Sequence, residues 1–266
     1  MRFRASSSAC LGTPQIDTIE GAVGYAAWAS RYLSKYNATS ERLGRIAVNG
    51  RANAETNPLA VWRTPIDLDD YFAARMVRWP LRLFDMDTPV DGADAFIITS
   101  ADRARDLPHP PALVHAATLA MLDKNVEDQA EDLRHLGQHL VAKRLRGLSD
   151  IWTDSMDIYF PYDGFTIIAI NWLEALGFCG AGEAGSFIED HLDQTGRRIL
   201  LNGSVPFNSH GGSLSEGATQ GSGHIREAVL QLQGRAGVRQ VNDAKSAILN
   251  LGGLFFNAQG IVLRSE

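Results

Sequence analysis

The stretch 208–224, NSHGGSLSEGATQGSGH, decides how this chain is read: glycine stands at 211, 212, 217, 221 and 223, immediately ahead of an amphipathic helix. Glycine reaches left-handed backbone and lets main chain approach a neighbour closely. Several N–H groups at a helix start also suit an anion or a polarised carbonyl. The following HIREAVLQLQG puts Ile225, Ala228, Val229 and Leu232 on one helical face, and Gly234 suits its end. The glycines thus stand before a helix, where they are placed to bind or to assist chemistry.

Composition sets wide limits around that loop. With 266 residues, 45% of them hydrophobic, the chain suffices for one large domain or two smaller ones. A formal charge of -6 leaves no basic stripe to displace phosphate counterions, so no nucleic-acid partner is expected. The basic cluster Lys143, Arg144 and Arg146 ends a predicted helix that begins with acids, which complements the helix dipole. Cys10 and Cys179 have no Cys or His neighbours at ligand spacing, so neither a disulfide framework nor a metal site is expected. The longest apolar run, Phe165–Phe178, is too short to span a bilayer and is interrupted by Asn171 and Glu174. Residues 1–11 lack the apolar centre of a signal peptide, and a reducing cytoplasmic setting without a membrane partner is the expectation.

Periodicity outlines the elements. Val23, Ala26, Ala27, Trp28, Tyr32 and Leu33 recur at helical intervals, and 39–53 reads as a second helix carrying Leu43, Ile46 and Ala47. The segment 57–89 holds four prolines and five aromatics and reads as ordered but irregular. Ala93–Thr99 is apolar enough for a buried strand, and LPHPP at 107–111 marks a domain boundary. A strand over 112–121 follows, then a long helix marked by Val126, Ala130, Leu133, Gly137, Leu140 and Val141. MDIYF at 156–160 is a strand that runs through a turn into a helix over 165–176. Tyr162 and Asp163 therefore fall at the carboxyl end of a strand, where open α/β sheets bind ligands. Gly180, Gly182 and Gly185 match G-x-G-x-x-G, but they follow a helix where a dinucleotide site needs a strand, so a helix-ending turn explains them better.

The loop resembles the C-terminal domain of the thiolase superfamily, in which N-x-x-GG leads through a second glycine cluster into a helix. AKSAILNLGGLFFNAQGIVLR resembles the closing hairpin of that family, with Gly252 and Gly253 in its C-x-GG turn. YDGF at 162–165 stands in place of N-E-A-F, and DTPVDGADAFIITSA at 87–101 is similar to the DGAAA strand. These segments cover most of residues 20–266 in order. The nearest resemblance is to the divergent lipid-transfer-protein or sterol-carrier-protein thiolases, some of which are retro-aldolases of steroid side-chain CoA thioesters.

That resemblance implies a thiolase-like α/β fold. Residues 111–266 would form a complete C-terminal half with a mixed five-stranded sheet. Residues 1–110 would supply the loop domain that wraps the CoA arm and the last strand of an incomplete N-terminal half. A strand without its sheet exposes unpaired edge groups, so poor solubility of the isolated product is expected. The resemblance also implies an acyl-CoA substrate, no cofactor beyond it, an oligomer, and a partner such as an OB-fold or hydratase-like chain.

Thiolysis needs a cysteine nucleophile, and the family's nucleophile region is expected to precede this chain, since the surroundings of Cys10 do not match it. Ala218 stands where the family has its G-H-P histidine, and Asn250 where it has a second catalytic cysteine. A retro-aldol cleavage asks for less: a base for the hydroxyl proton and donors for the thioester enolate. Tyr162 is the candidate acid or base, although a free phenol titrates near pH ~10, and Asp163 its orienting group. Ser222 is nearest to the second tyrosine that the aldolases use. His210, Gly211, Gly212, Gly217, Gly221, Gly223, Gly252 and Gly253 would line the substrate site, with the 217–223 backbone facing the thioester oxygen. Each has a plainer reading: Asp163 as a helix cap, Tyr162 as a packed aromatic, His210 as a brace of the loop, His224 as a surface residue. Enzyme, acyl-CoA-binding subunit of a larger complex, and inactive truncated product are the alternatives.

Overall fold

The structure, a computed structural model, describes residues 22–120, 137–253 and 258–266. Helices α1 (Ala22–Lys35) and α2 (Glu41–Ala54) precede α3 (Leu68–Ala73), the small hairpin β1 (Met76–Arg78) and β2 (Leu81–Arg82), and α4 (Ala101–Ala104). Then come β3 (Ala112–Ala120), α5 (Gly137–Leu148), β4 (Ile158–Pro161), α6 (Thr166–Leu176) and α7 (Ala184–Asp190). A second small hairpin, β5 (Leu200–Leu201) and β6 (Val205–Pro206), leads to α8 (Gly212–Ser215), α9 (Ser222–Leu232), β7 (Ser246–Leu251) and β8 (Ala258–Ser265).

The principal sheet runs β3-β8-β7-β4. β8 pairs antiparallel with both β3 and β7, whereas β4 and β7 are parallel, so the sheet is mixed as expected. Four strands of this sheet lie among the described residues, and the fifth position, beside β4, is held by the parallel bridge between Tyr159 and Phe207.

β4 and β7 are buried along their whole length. Ile158, Phe160, Ala247 and Leu249 pack with Ala228 and Leu232 of α9. Tyr159 and Ile248 belong to the main core with Val141 and Leu145 of α5. Both faces are therefore covered, which is why these strands read as apolar runs and not as polar–apolar alternation. Helix α6 is buried continuously from Thr166 to Leu173 and ends at Gly177, whose φ of 85° is the left-handed cap that glycine supplies.

The 57–89 segment is ordered for definable reasons. The Arg51 guanidinium of α2 lies 5.0 Å from the Trp62 ring centre and 4.9 Å from that of Phe84. Asp85 accepts from Tyr71 Oη at 2.8 Å and from Thr166 Oγ1 at 2.6 Å, tying the segment to the start of α6. Burial pushes the Asp85 carboxyl up to about 6, against the hydrogen bonds that favour its charge.

Three expectations need adjustment. Ala93–Thr99 is not a buried strand: it carries no regular structure, and Ile97 and Ile98 are 90% and 88% exposed. A strand is stabilised by a neighbour to pair with, and no described segment pairs with this one, so its apolar residues alone do not make it extended sheet. The expected long helix around 126–141 falls partly outside the described residues, and its described part is α5. The 156–160 strand forms two residues later than expected, as β4, because Trp152, Ser155 and Met156 form a turn, with the Ser155 and Met156 N–H groups donating to Trp152 O.

Candidate functional site

Asp163 follows β4 and is 1% exposed. It does not cap α6, whose N-cap is Phe165. Instead its Oδ1 accepts from the Ser213 N–H at 2.7 Å, across 50 residues of chain. Gly212 permits this approach: with φ at 66°, a Cβ there would lie 1.9 Å from Asp163 Oδ2. The second glycine of the loop's pair is thus required by a buried carboxylate.

His224, in the first turn of α9, is 1% exposed and not a surface residue. Its Nε2 lies 3.2 Å from Asp163 Oδ1, close but not aligned as a hydrogen bond. The His210 ring meets it edge-on at 4.7 Å and packs against Phe160 at 5.6 Å. Neither His210 ring nitrogen has a partner among the described residues. Burial, and then the neighbouring His224, hold the His210 imidazole well below its usual range, so it is neutral at pH 7.

Tyr162 lies 6.0 Å from the His224 ring and donates to Asp87 Oδ2 at 3.4 Å. Burial, and then the charges of Asp87 and Asp163, push its hydroxyl above the usual phenol range. The neighbours thus oppose a phenolate, and Tyr162 rests as a proton donor. Burial and then Asp163 push Asp87 up to about 6, against the Tyr162 hydrogen bond.

Ser222 is engaged elsewhere. Its hydroxyl donates to Asp94 Oδ2 at 2.6 Å, with Thr219 O at 3.0 Å as an alternative, and bonds to neither Tyr162 nor Asp163. Arg226 bridges Asp94 and Glu216 at the same place. The loop amides are largely engaged too: the N–H of Ala218 donates to Thr88 O, that of Ser222 to Thr219 O, and that of Gly223 to Thr219 Oγ1. Gly217 has φ 136° and abuts Val90, Gly221 is the N-cap of α9, and Gly211 backs onto Ala54. Gly252 has φ 75° in the turn after β7, where Gly253 follows. The structure therefore brings together Tyr162, Asp163, His210 and Gly212, and leaves Ser222 and the Gly252 turn outside that cluster's hydrogen bonds.

Asn49, Asn53 and Asn57 hold the loop in place, and sequence reasoning missed them. The Asn49 and Asn53 amides donate to Phe207 O at 3.0 and 2.9 Å, and Asn53 also reaches Asn208 O at 3.2 Å. Asn57 donates to His210 O at 2.8 Å and to Glu216 Oε2 at 2.6 Å. Asparagine repeating every four residues, at 49 and 53 in α2 and at 57 just beyond it, was the available signal. Asp87 was not singled out although it opens the 87–101 segment, and His224 was read as a surface residue at the end of the glycine loop. Among the described residues, no group of three or more His, Cys, Asp or Glu is arranged to hold a metal ion. No described helix is long and apolar enough to cross a membrane.

The description "Thiolase C-terminal domain-like" matches residues 122–265. The chain belongs to this thiolase family. Within the family it falls in the divergent branch with the sterol-carrier-protein thiolases. It is 36% identical over 234 residues to a "Steroid side-chain-cleaving aldolase" of Thermomonospora curvata, covering 85% of this chain and 58% of that protein. It is 36% identical over 213 residues to a "17-hydroxy-3-oxo-4-pregnene-20-carboxyl-CoA lyase" of Mycobacterium tuberculosis, covering 77% of this chain and 53% of that one. A solved structure named "Ltp2-ChsH2(DUF35) aldolase" superposes with a TM-score of 0.82 at 35% identity, over 91% of this chain and 63% of that one. This thiolase-family chain thus spans little more than half the length of the curated relatives it matches.

Proposed function

We propose that this chain acts on acyl-CoA thioesters as part of a retro-aldolase, cleaving the bond between the α-carbon and the hydroxyl-bearing carbon of a 3-hydroxyacyl-CoA of the steroid side-chain type. The observation that carries this reading is the cluster at the carboxyl end of β4 in which buried Tyr162, Asp163 and His224 meet the half-buried Asp87. It stands in a chain with Ala218 and Asn250 where a thiolytic relative would have histidine and cysteine. In such a cleavage the hydroxyl proton leaves, the carbon–carbon bond pair moves onto the thioester to give its enolate, and a carbonyl product departs. Neither a thiol nucleophile nor an added cofactor enters that balance. Donors to the enolate oxygen are each worth about 3 kcal/mol.

The names of the two relatives support the choice of reaction, since one is a steroid side-chain-cleaving aldolase and the other a lyase of a hydroxylated CoA thioester. The DUF35 component in the name of the solved neighbour supports a partner chain of that kind beside this one. The test is to incubate the chain, with such a partner, with a 3-hydroxyacyl-CoA and to follow the shortened acyl-CoA by mass spectrometry. Tyr162→Phe is expected to abolish turnover and to leave the Kd for the thioester within about threefold. A wild-type protein that binds the thioester and never cleaves it supports the binding-subunit reading instead.

A further inference from the structure

The carboxylate of Asp87 is the hydrogen-bond acceptor of the Tyr162 hydroxyl, and the backbone is built to keep the two together. The Asp87 N–H donates to Gly164 O at 2.9 Å. Gly164 in turn backs the Tyr162 ring so closely that a Cβ on it would lie 2.7–2.8 Å from Cε1, Cζ and Oη. On the other side Thr88 is tied to the glycine loop, its N–H donating to Ser213 O at 3.4 Å and its carbonyl accepting from Ala218 N at 2.8 Å. Three separate segments thus converge to hold one carboxylate against one phenol. The Oη–Oδ2 separation of 3.4 Å is long, as acid–base pairs often are before substrate tightens them.

We propose that Asp87 is the proton partner of Tyr162, so that the hydroxyl acts as a relay and the carboxylate as the site where the proton is stored. The inference rests on the retro-aldol reading for its chemical purpose. As the substrate O–H bond breaks, its proton passes to Tyr162 Oη while the Tyr162 proton passes to Asp87 Oδ2. The carbon–carbon bond pair becomes the thioester enolate and the carbonyl product leaves. The stored proton then returns through Tyr162 to the α-carbon, which closes the balance without an external acid or base. No free phenolate forms, and that resolves the difficulty that both neighbouring carboxylates oppose one. Asp87 faces Tyr162 and Asp163, with His224 behind Asp163, and Asp163 is clamped in place by the Ser213 N–H.

The test uses the full chain with aspartate labelled with 13C at its carboxyl carbon. Comparison with Asp87→Asn identifies the Asp87 signal, which is expected to titrate near pH 6 in the wild type. In Tyr162→Phe its midpoint is expected to rise by about half a unit or more, because the hydroxyl that favours the anion is gone. An Asp87 signal that Tyr162→Phe leaves unmoved overturns the proposal whether or not the protein cleaves anything. In an active preparation, Asp87→Asn is expected to lower kcat/KM about a hundredfold or more and to remove the acidic limb near pH 6. A wild-type rate and an unchanged pH profile in Asp87→Asn also overturn it. A wild type that cleaves no 3-hydroxyacyl-CoA refutes the retro-aldolase reading alone, and the Asp87 titration then decides this proposal by itself.

Discussion

Asp163 Oδ2 lies 1.9 Å from the point where a Cβ on Gly212 would stand. Carboxylate and glycine therefore specify each other, and Gly212→Ala displaces one or the other. The variant also takes a side chain into left-handed backbone at φ 66° and loses a charge-assisted bond, so a destabilisation of about 2–4 kcal/mol is expected. Gly196→Ala is the control, with φ 68° but nothing within 4 Å of its Cβ; it should cost only the left-handed strain, about 1–2 kcal/mol. Paired urea titrations measure the difference.

The asparagine ladder should be equally sensitive. Asn53→Ala removes a donor shared by Phe207 O and Asn208 O and leaves buried carbonyls under-satisfied, for a loss of about 1–3 kcal/mol. Asn53→Asp, which sets an acceptor against two acceptors, should lose more. Thermal melts of the two variants give the order, and a ranking with aspartate above alanine contradicts the role assigned to the amide.

Asp87 makes stability depend on pH. Its carboxyl is raised from 3.8 to about 6 by burial, then by Asp163, so between these values the folded chain binds a proton that the unfolded chain does not. Stability from this group is therefore fully present below about pH 4 and is lost as pH rises through about 6. Asp87→Asn should be the more stable protein at pH 7.5, by at most about 3 kcal/mol, with the gap closing by pH 4. Denaturant midpoints at the two pH values check the sign.

Cys179 should be unreactive. Burial, and then the charges of Glu174 and Glu183, push its thiol up to about 12, so at pH 8 the thiolate fraction is about a thousandfold below that of a free cysteine. In a Cys10→Ser background, iodoacetamide should label the native chain only slowly and the urea-unfolded chain quickly, as read by intact mass.

The parts of the fold legible in the sequence were those written locally. The loop into α9, the apolar run of α6 and the β4 strand each announce themselves within about fifteen residues, through glycine spacing or periodicity. The apolar content of Ala93–Thr99 suggests a strand, whereas pairing depends on a neighbour that no window of sequence contains. Asp163 does fall at a strand end, yet its partner Ser213 stands 50 residues on, so the sequence offers only a helix cap or an orienting group for Tyr162 beside it. His224 looked like a first-turn surface residue because nothing local reveals that residues 208–217 fold back over the start of α9. The carboxylate beside Tyr162 is likewise a product of tertiary approach, joining positions 75 residues apart.

The asparagine ladder also bears on how the chain acquires its shape. Asn49 and Asn53 are made early, and the carbonyls they satisfy arrive more than 150 residues later. Contacts of such sequence separation raise contact order and slow folding. During synthesis the amides of Asn49 and Asn53 have only water to bond until the glycine loop has been made, and a nascent chain stopped before residue 207 lacks the carbonyls that they hold.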